Sequence, residues 1–417
     1  MKIRQRPVLA GLLAFSGLVT APAAFAQDSV SVGTWMWNEP GIGEWWQIAA
    51  DAFRASHPDV QLEVRNLPVN EYMTQIVVEL ASGNPADVVS VSANLPEIQG
   101  SGGLVPLNDF IEASGMMDRV EQSCWDRVTF DGSIMAVPIA GRTLTLLYNE
   151  AMFEEAGLSG PPTTPEEFLE AARTLTERDN AGNVTRYGAS MVNTAEEPTF
   201  EMLMMWSIAF GGSVTDGTMP TLTDPGVIEA LSFMKTLYDE GLIPRGRPED
   251  DQRALFASGT SAMEIDGPWQ VSFVRTVSPD MVDDIRAATL PWDGPATGGP
   301  NVMVALGNTD NQDLAWEFIE TVMSPEVQQR FNEFSDVVPC AVGAITDATL
   351  EAKPYLEAEL EMFAAGPVAP SPAGFEDVAS EFQAYVLEAV TAALQGGEDP
   401  AEALADAQEE IIAAFGL

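Results

Sequence analysis

The chain has 417 residues, 46% of them hydrophobic, and a formal net charge of −44 from 63 acidic and 19 basic side chains. This apolar content supplies cores for two domains and excludes wholesale disorder, while the charge excludes nucleic acid and anionic lipid as partners. One histidine, His57, excludes His-based catalytic triads and most metal sites.

Lys2, Arg4 and Arg6 precede an apolar run from Val8 to Val19, and Ala24-Phe25-Ala26 follows ahead of Gln27. This pattern predicts a cleaved secretory signal over residues 1–26 and a mature chain in the periplasm. A bilayer span takes about 20 apolar residues, so the run is too short for an anchor. Val30 and Val32 open a first strand. Apolar residues at Ile42, Trp45, Trp46, Ala49, Ala50 and Phe53 then recur at helical spacing, up to His57-Pro58-Asp59. Val60, Leu62 and Val64 alternate as a second strand. A helix through Tyr72, Ile76, Val77 and Leu80 ends at Gly83-Asn84-Pro85, and a third strand covers Asp87 to Val91. Strands alternating with helices predict a largely parallel α/β sheet covered on both faces.

The later chain is more helical. Thr164-Pro165-Glu166-Glu167 combines an N-cap, a proline at the first helical position and a Glu three residues after the cap. Asp224-Pro225, Ser324-Pro325 and Asp399-Pro400 repeat the cap and proline. Ala364 to Gly374 reads as a loop. Cys124 and Cys340 are the only cysteines. An oxidising compartment permits a bridge between them, and two buried thiols are the alternative.

No motif for a catalytic nucleophile, a phosphate-cradling loop or a C-x-x-C pair occurs, so neither an enzyme nor a cofactor is expected. Carboxylates are spread along the whole chain, which fits a solvated acidic surface better than a catalytic pair.

Several segments in order resemble the family 1 extracellular solute-binding proteins of ATP-driven importers, the group that contains the maltodextrin-binding protein. They include Ser56-His57-Pro58-Asp59-Val60, Gly83-Asn84-Pro85-Ala86-Asp87-Val88, Leu147-Tyr148-Asn149-Glu150 and Thr260-Ser261-Ala262-Met263 through Asp266-Gly267-Pro268-Trp269. The resemblance implies a two-lobe periplasmic binding protein fold, type II-like, with the ligand cleft between lobes joined by hinge crossings. The expected N-terminal lobe is 27–140 plus 304–338, and the C-terminal lobe 141–303 plus 339–417. The implied function is capture of a sugar by a monomeric subunit that delivers it to ABC permease subunits. A sensory module, or a binder of a cationic or anionic small solute, is the alternative.

The resemblance also points to ligand-binding residues. Trp269 falls where the family places a stacking aromatic, after Asp266 and Gly267. Trp37 and Glu39 follow the first strand, at the sheet edge where α/β proteins bind ligands. Asn94 stands for a hydroxyl-gripping acid. Arg142 replaces a sugar-binding Glu, so it either favours an anionic group or pairs with a local acid. Phe200 stands in for a Tyr-bearing segment, and a ligand smaller than or shaped differently from a maltodextrin is expected, a mono- or disaccharide or a glycosylated osmolyte.

Overall fold

The computed structural model describes residues 28–417, apart from 40, 67–68, 93–94, 96–97, 99–102, 131, 308, 310, 367, 370 and the side chains of 69–71. The expected signal segment 1–26 and Asn94 therefore lie outside the described residues. In chain order the strands are β1 (Ser29–Thr34), β2 (Gln61–Asn66), β3 (Val88–Val91) and a hairpin of β4 (Thr129–Phe130) with β5 (Ser133–Ile134). Next come β6 (Val137–Thr143), β7 (Thr145–Asn149) and a second hairpin, β8 (Glu177–Arg178) with β9 (Val184–Arg186). The last are β10 (Met263–Asp266), β11 (Ile285–Ala288) and β12 (Gly298–Ala305).

The first lobe is built on a five-stranded sheet ordered β2-β1-β3-β12-β6. β1 runs parallel to β2 and β3, while β12 runs antiparallel to β3 and β6. The helix Ile42–Ser56 buries Trp45, Trp46, Ala49, Ala50 and Phe53, the stripe that the helical spacing predicts. Such a stripe stabilises a helix mainly by covering sheet and neighbouring helices. The second lobe has a three-stranded sheet, β10-β7-β11, under a separate core in which Trp206 meets Phe168 and Phe233.

Helix starts follow the capping chemistry. Thr164, Asp224, Ser324 and Asp399 each accept a first-turn backbone N–H ahead of a proline. Glu167, however, accepts from the backbone and hydroxyl of Thr163, so the reciprocal bond to Thr164 is replaced by one a residue earlier.

Three segments pass between the lobes. β6 becomes β7 through Leu144 alone, with Ala140 in the first core and Leu146 in the second. The return strand β12 pairs with β6 from Gly298 opposite Thr143. The third segment runs beside β6, where Gly141 N–H donates to Val338 O at 2.7 Å and Cys340 N–H to Ile139 O at 2.8 Å. Cys340 thus packs in the first core, past the expected edge at 339, and is bridged to Cys124 with Cα atoms 6.1 Å apart. Buried Asp336 ties this segment down. It accepts from Ser272 and Tyr355 and forms ion pairs of 2.7 Å with both Arg275 and Lys353. Burial opposes its charge, but Lys353 and the hydrogen bonds prevail and hold its carboxyl below the usual range.

Candidate ligand-binding cleft

A small cavity lies where β6 enters the second lobe. Arg142, Ser190, Glu201, Glu249, Glu264 and Asp266 are among its lining residues. Its free space is about 20 Å³, little more than the room one water needs.

Arg142 stands near the end of β6 and reaches the helix Glu197–Ala209 of the second lobe. Its two terminal nitrogens each donate to one oxygen of Glu201 at 3.3 Å. Its guanidinium carbon lies 5.4 Å from the centre of the Trp269 ring, within cation–π range. Burial works against the arginine charge, yet Glu201, Glu197 and Glu249 outweigh it and hold the group above the ordinary arginine value. The forked geometry matches the arginine charge with a carboxylate from within the protein.

Trp269 opens the helix Trp269–Val277 and packs, part-buried, against the cores of both lobes. Gly267 makes room for it, because a Cβ there would collide with the six-membered ring. Asp266 ends β10 with both oxygens engaged. One accepts from Gly267 N–H at 2.7 Å and the other from Arg253 Nε at 2.8 Å. Arg253 also pairs with Glu249, one helical turn earlier, at 2.9 Å. Asp266 thus orients the turn beneath Trp269.

Three carboxyls around the cleft are pushed up. Burial raises Glu249 to about 7, with Asp266 and Glu201 adding to the rise and both arginines opposing it. Burial raises Glu264 well above the carboxylate range, and Asp266 adds to this against Arg253 and a bond from Gln270. Glu39, from the first lobe, keeps exposed surface, yet enough of the protein crowds it that burial raises its carboxyl. Arg253 of the opposite lobe opposes this and Asp250 adds to it.

The expected site residues are thus only partly brought together. Arg142 and Asp266 line the cavity, with Trp269 and Gly267 beside it. Trp37 lies on the turn Met36–Asn38 and packs part-buried on the first core. Phe200 departs from expectation. It is fully buried against Phe382, because the helix turns its neighbour Glu201 toward Arg142 instead. Glu201, Glu249, Arg253, Glu264 and Ser190 were not singled out from the sequence. Glu264 had a signal, a charge inside the apolar run Ala262-Met263-Glu264-Ile265, whereas Ser190 had none. Among the described residues no group of three or more His, Cys, Asp or Glu is arranged to hold a metal ion.

Two α/β lobes, three crossing segments and a charged cleft define a two-lobe solute-binding protein. The chain belongs to the family of bacterial extracellular solute-binding proteins, whose sequence profile matches residues 49–358. It is 24% identical over 329 residues to the diacetylchitobiose binding protein DasA of Streptomyces coelicolor, covering 76% of this chain and 74% of that one. Its fold is similar to that of an ABC transporter solute-binding protein of Thermotoga lettingae bound with α-D-tagatose. The TM-score is 0.80 and the identity 24%, covering 92% of this chain and 98% of that one. It is also similar to the maltose-bound MalE3 of T. maritima, with a TM-score of 0.81 and 20% identity over 93% of this chain and 100% of that one. The chain is accordingly a binding protein and not an enzyme. No helix among the described residues is long and apolar enough to cross a membrane.

Proposed function

We propose that this protein is the monomeric periplasmic substrate-binding subunit of an ABC importer, and that it captures a small neutral sugar or polyol in the interlobe cleft. The observation that carries this reading is Trp269, held on Gly267 between the two cores, with charged side chains of the cleft around it. A pyranose offers an apolar C–H face to an aromatic ring and a rim of hydroxyls to carboxylates and guanidinium groups. Contacts from both lobes favour the closed form, and closure is what a permease would read.

The two-point pair between Arg142 and Glu201 weighs against an anionic ligand, since the arginine charge is already matched. The ligands of DasA, the Thermotoga lettingae protein and MalE3 named above are saccharides, which supports the same class. The N-terminal basic-apolar-small pattern supports export. A thermal-shift screen over mono- and disaccharides, polyols, polyamines and dicarboxylates tests the reading. A ligand at 100 times its Kd adds about 2.7 kcal/mol to stability, so a true ligand raises the midpoint clearly. A response confined to polyamines or dicarboxylates overturns it.

A further inference from the structure

Ser190 and Glu264 stand side by side at one wall of the cavity. Their residues pair as a parallel bridge that extends the edge of β10. They are 3% and 4% exposed, and both line the cavity. The Ser190 hydroxyl has no hydrogen-bond partner among the described residues. Glu264 is held from one side, where Gln270 Nε2 donates to its Oε2 at 2.8 Å and is itself fixed on Arg253 O at 2.9 Å. Buried polar groups in native proteins are normally satisfied, so an unsatisfied hydroxyl on a residue that lines a cavity marks a place where a partner is missing.

We infer that Ser190 and Glu264 form a subsite that takes one hydroxyl group of the guest, with Ser190 Oγ and Glu264 Oε1 as its two contacts. The inference rests on the sugar or polyol reading and deepens it by naming where the guest is read most deeply. A hydroxyl both donates and accepts, which suits a serine hydroxyl beside a carboxyl. An ammonium only donates. Burial disfavours the charged form of Glu264, with Asp266 adding to the effect, and an uncharged carboxyl supplies the donor that a guest hydroxyl accepts. A guest lacking the hydroxyl would leave both groups unpaired, and this is how such sites reject close analogues.

The test begins with calorimetric titration of the wild-type protein with maltose, N,N′-diacetylchitobiose, D-tagatose and spermidine. Ser190→Ala and Glu264→Gln follow, each with an unfolding midpoint measured without sugar. Ser190→Ala is expected to leave that midpoint unchanged or higher, because its hydroxyl bonds nothing among the described residues. It should weaken binding of the sugar that binds by about 3-fold to 10-fold, the usual range for one neutral hydrogen bond. Glu264→Gln keeps a donor and an acceptor, so its affinity stays within about tenfold. A lowered midpoint in Ser190→Ala, or an affinity it leaves unchanged, overturns the subsite alone. Binding of spermidine and of none of the sugars, abolished by Glu264→Gln, overturns the hydroxyl assignment in favour of an ammonium. Failure of the wild type to bind any of the sugars overturns the parent reading and the subsite with it.

Discussion

Arg142 places its guanidinium 5.4 Å from the ring centre of Trp269 while Glu201 holds both of its terminal nitrogens. The first residue comes from a strand of the first lobe's sheet, the second from the first turn of a second-lobe helix. One ion pair and one aromatic contact therefore couple the cleft to the crossing between β6 and β7.

The pairing predicts the ligand preference of a variant. In Glu201→Gln the arginine loses its counter-charge and becomes available to a carboxylate. Charged hydrogen bonds contribute about 1.5–3 kcal/mol, or roughly ten-fold to a hundred-fold in affinity. Glucuronate should raise the melting midpoint of Glu201→Gln and not that of the wild type. An equal response in both proteins would mean that Glu201 does not set the charge preference.

The Cys124–Cys340 bridge spans a sequence separation of 216. A cross-link over so long a loop stabilises a domain by about 2–5 kcal/mol. Reduction by a phosphine, or a Cys124→Ser/Cys340→Ser pair, should lower the unfolding midpoint by several degrees. An unchanged midpoint in both would place the two sulfurs apart in solution.

Glu249 makes a pH prediction whose sign is fixed by linkage. Its folded value, about 7, lies above the ordinary 4.5, so the folded state holds a proton that the unfolded state releases in this window. Its contribution is complete below pH 4.5 and is lost as the pH rises toward 7. At constant ionic strength, Glu249→Gln should show a smaller fall in midpoint between pH 5 and 7.5 than the wild type. Parallel curves would remove Glu249 from the pH response.

The net charge of −44 predicts a salt dependence. Raising sodium chloride from about 10 mM to about 1 M shortens the screening length from about 30 Å to about 3 Å and relieves self-repulsion. The midpoint should climb over this range. A flat or falling trend would show that the acidic surface does not limit stability.

The local code was legible where periodicity and capping dominate. The stripe from Trp45 to Phe53 and the caps at Thr164, Asp224, Ser324 and Asp399 could be read directly from residue order. The pairing of the return strand was not, because whether Gly298 pairs with Thr143 depends on a strand more than 150 residues away in sequence. At the site, a motif pointed to Trp269, Gly267 and Asp266, and the replaced family acid pointed to Arg142. The partners Glu201 and Arg253 emerge only when helix and strand are brought together. Phe200 lies in the core while its neighbour Glu201 reaches Arg142, since a one-residue rotation on a helix decides which side chain faces which way.

Trp269→Ala, titrated with whichever of maltose, N,N′-diacetylchitobiose or D-tagatose binds the wild type, and unfolded in parallel without sugar, separates a ligand-stacking ring from a structural one. Loss of a desolvated aromatic contact of this kind costs about 2–4 kcal/mol, roughly 30-fold to 1,000-fold in affinity. That loss is expected together with a modest fall in midpoint, because the ring is only part-buried between the two cores. Unchanged affinity with a sharply lower midpoint would make Trp269 a structural residue and contradict capture of a sugar against its face.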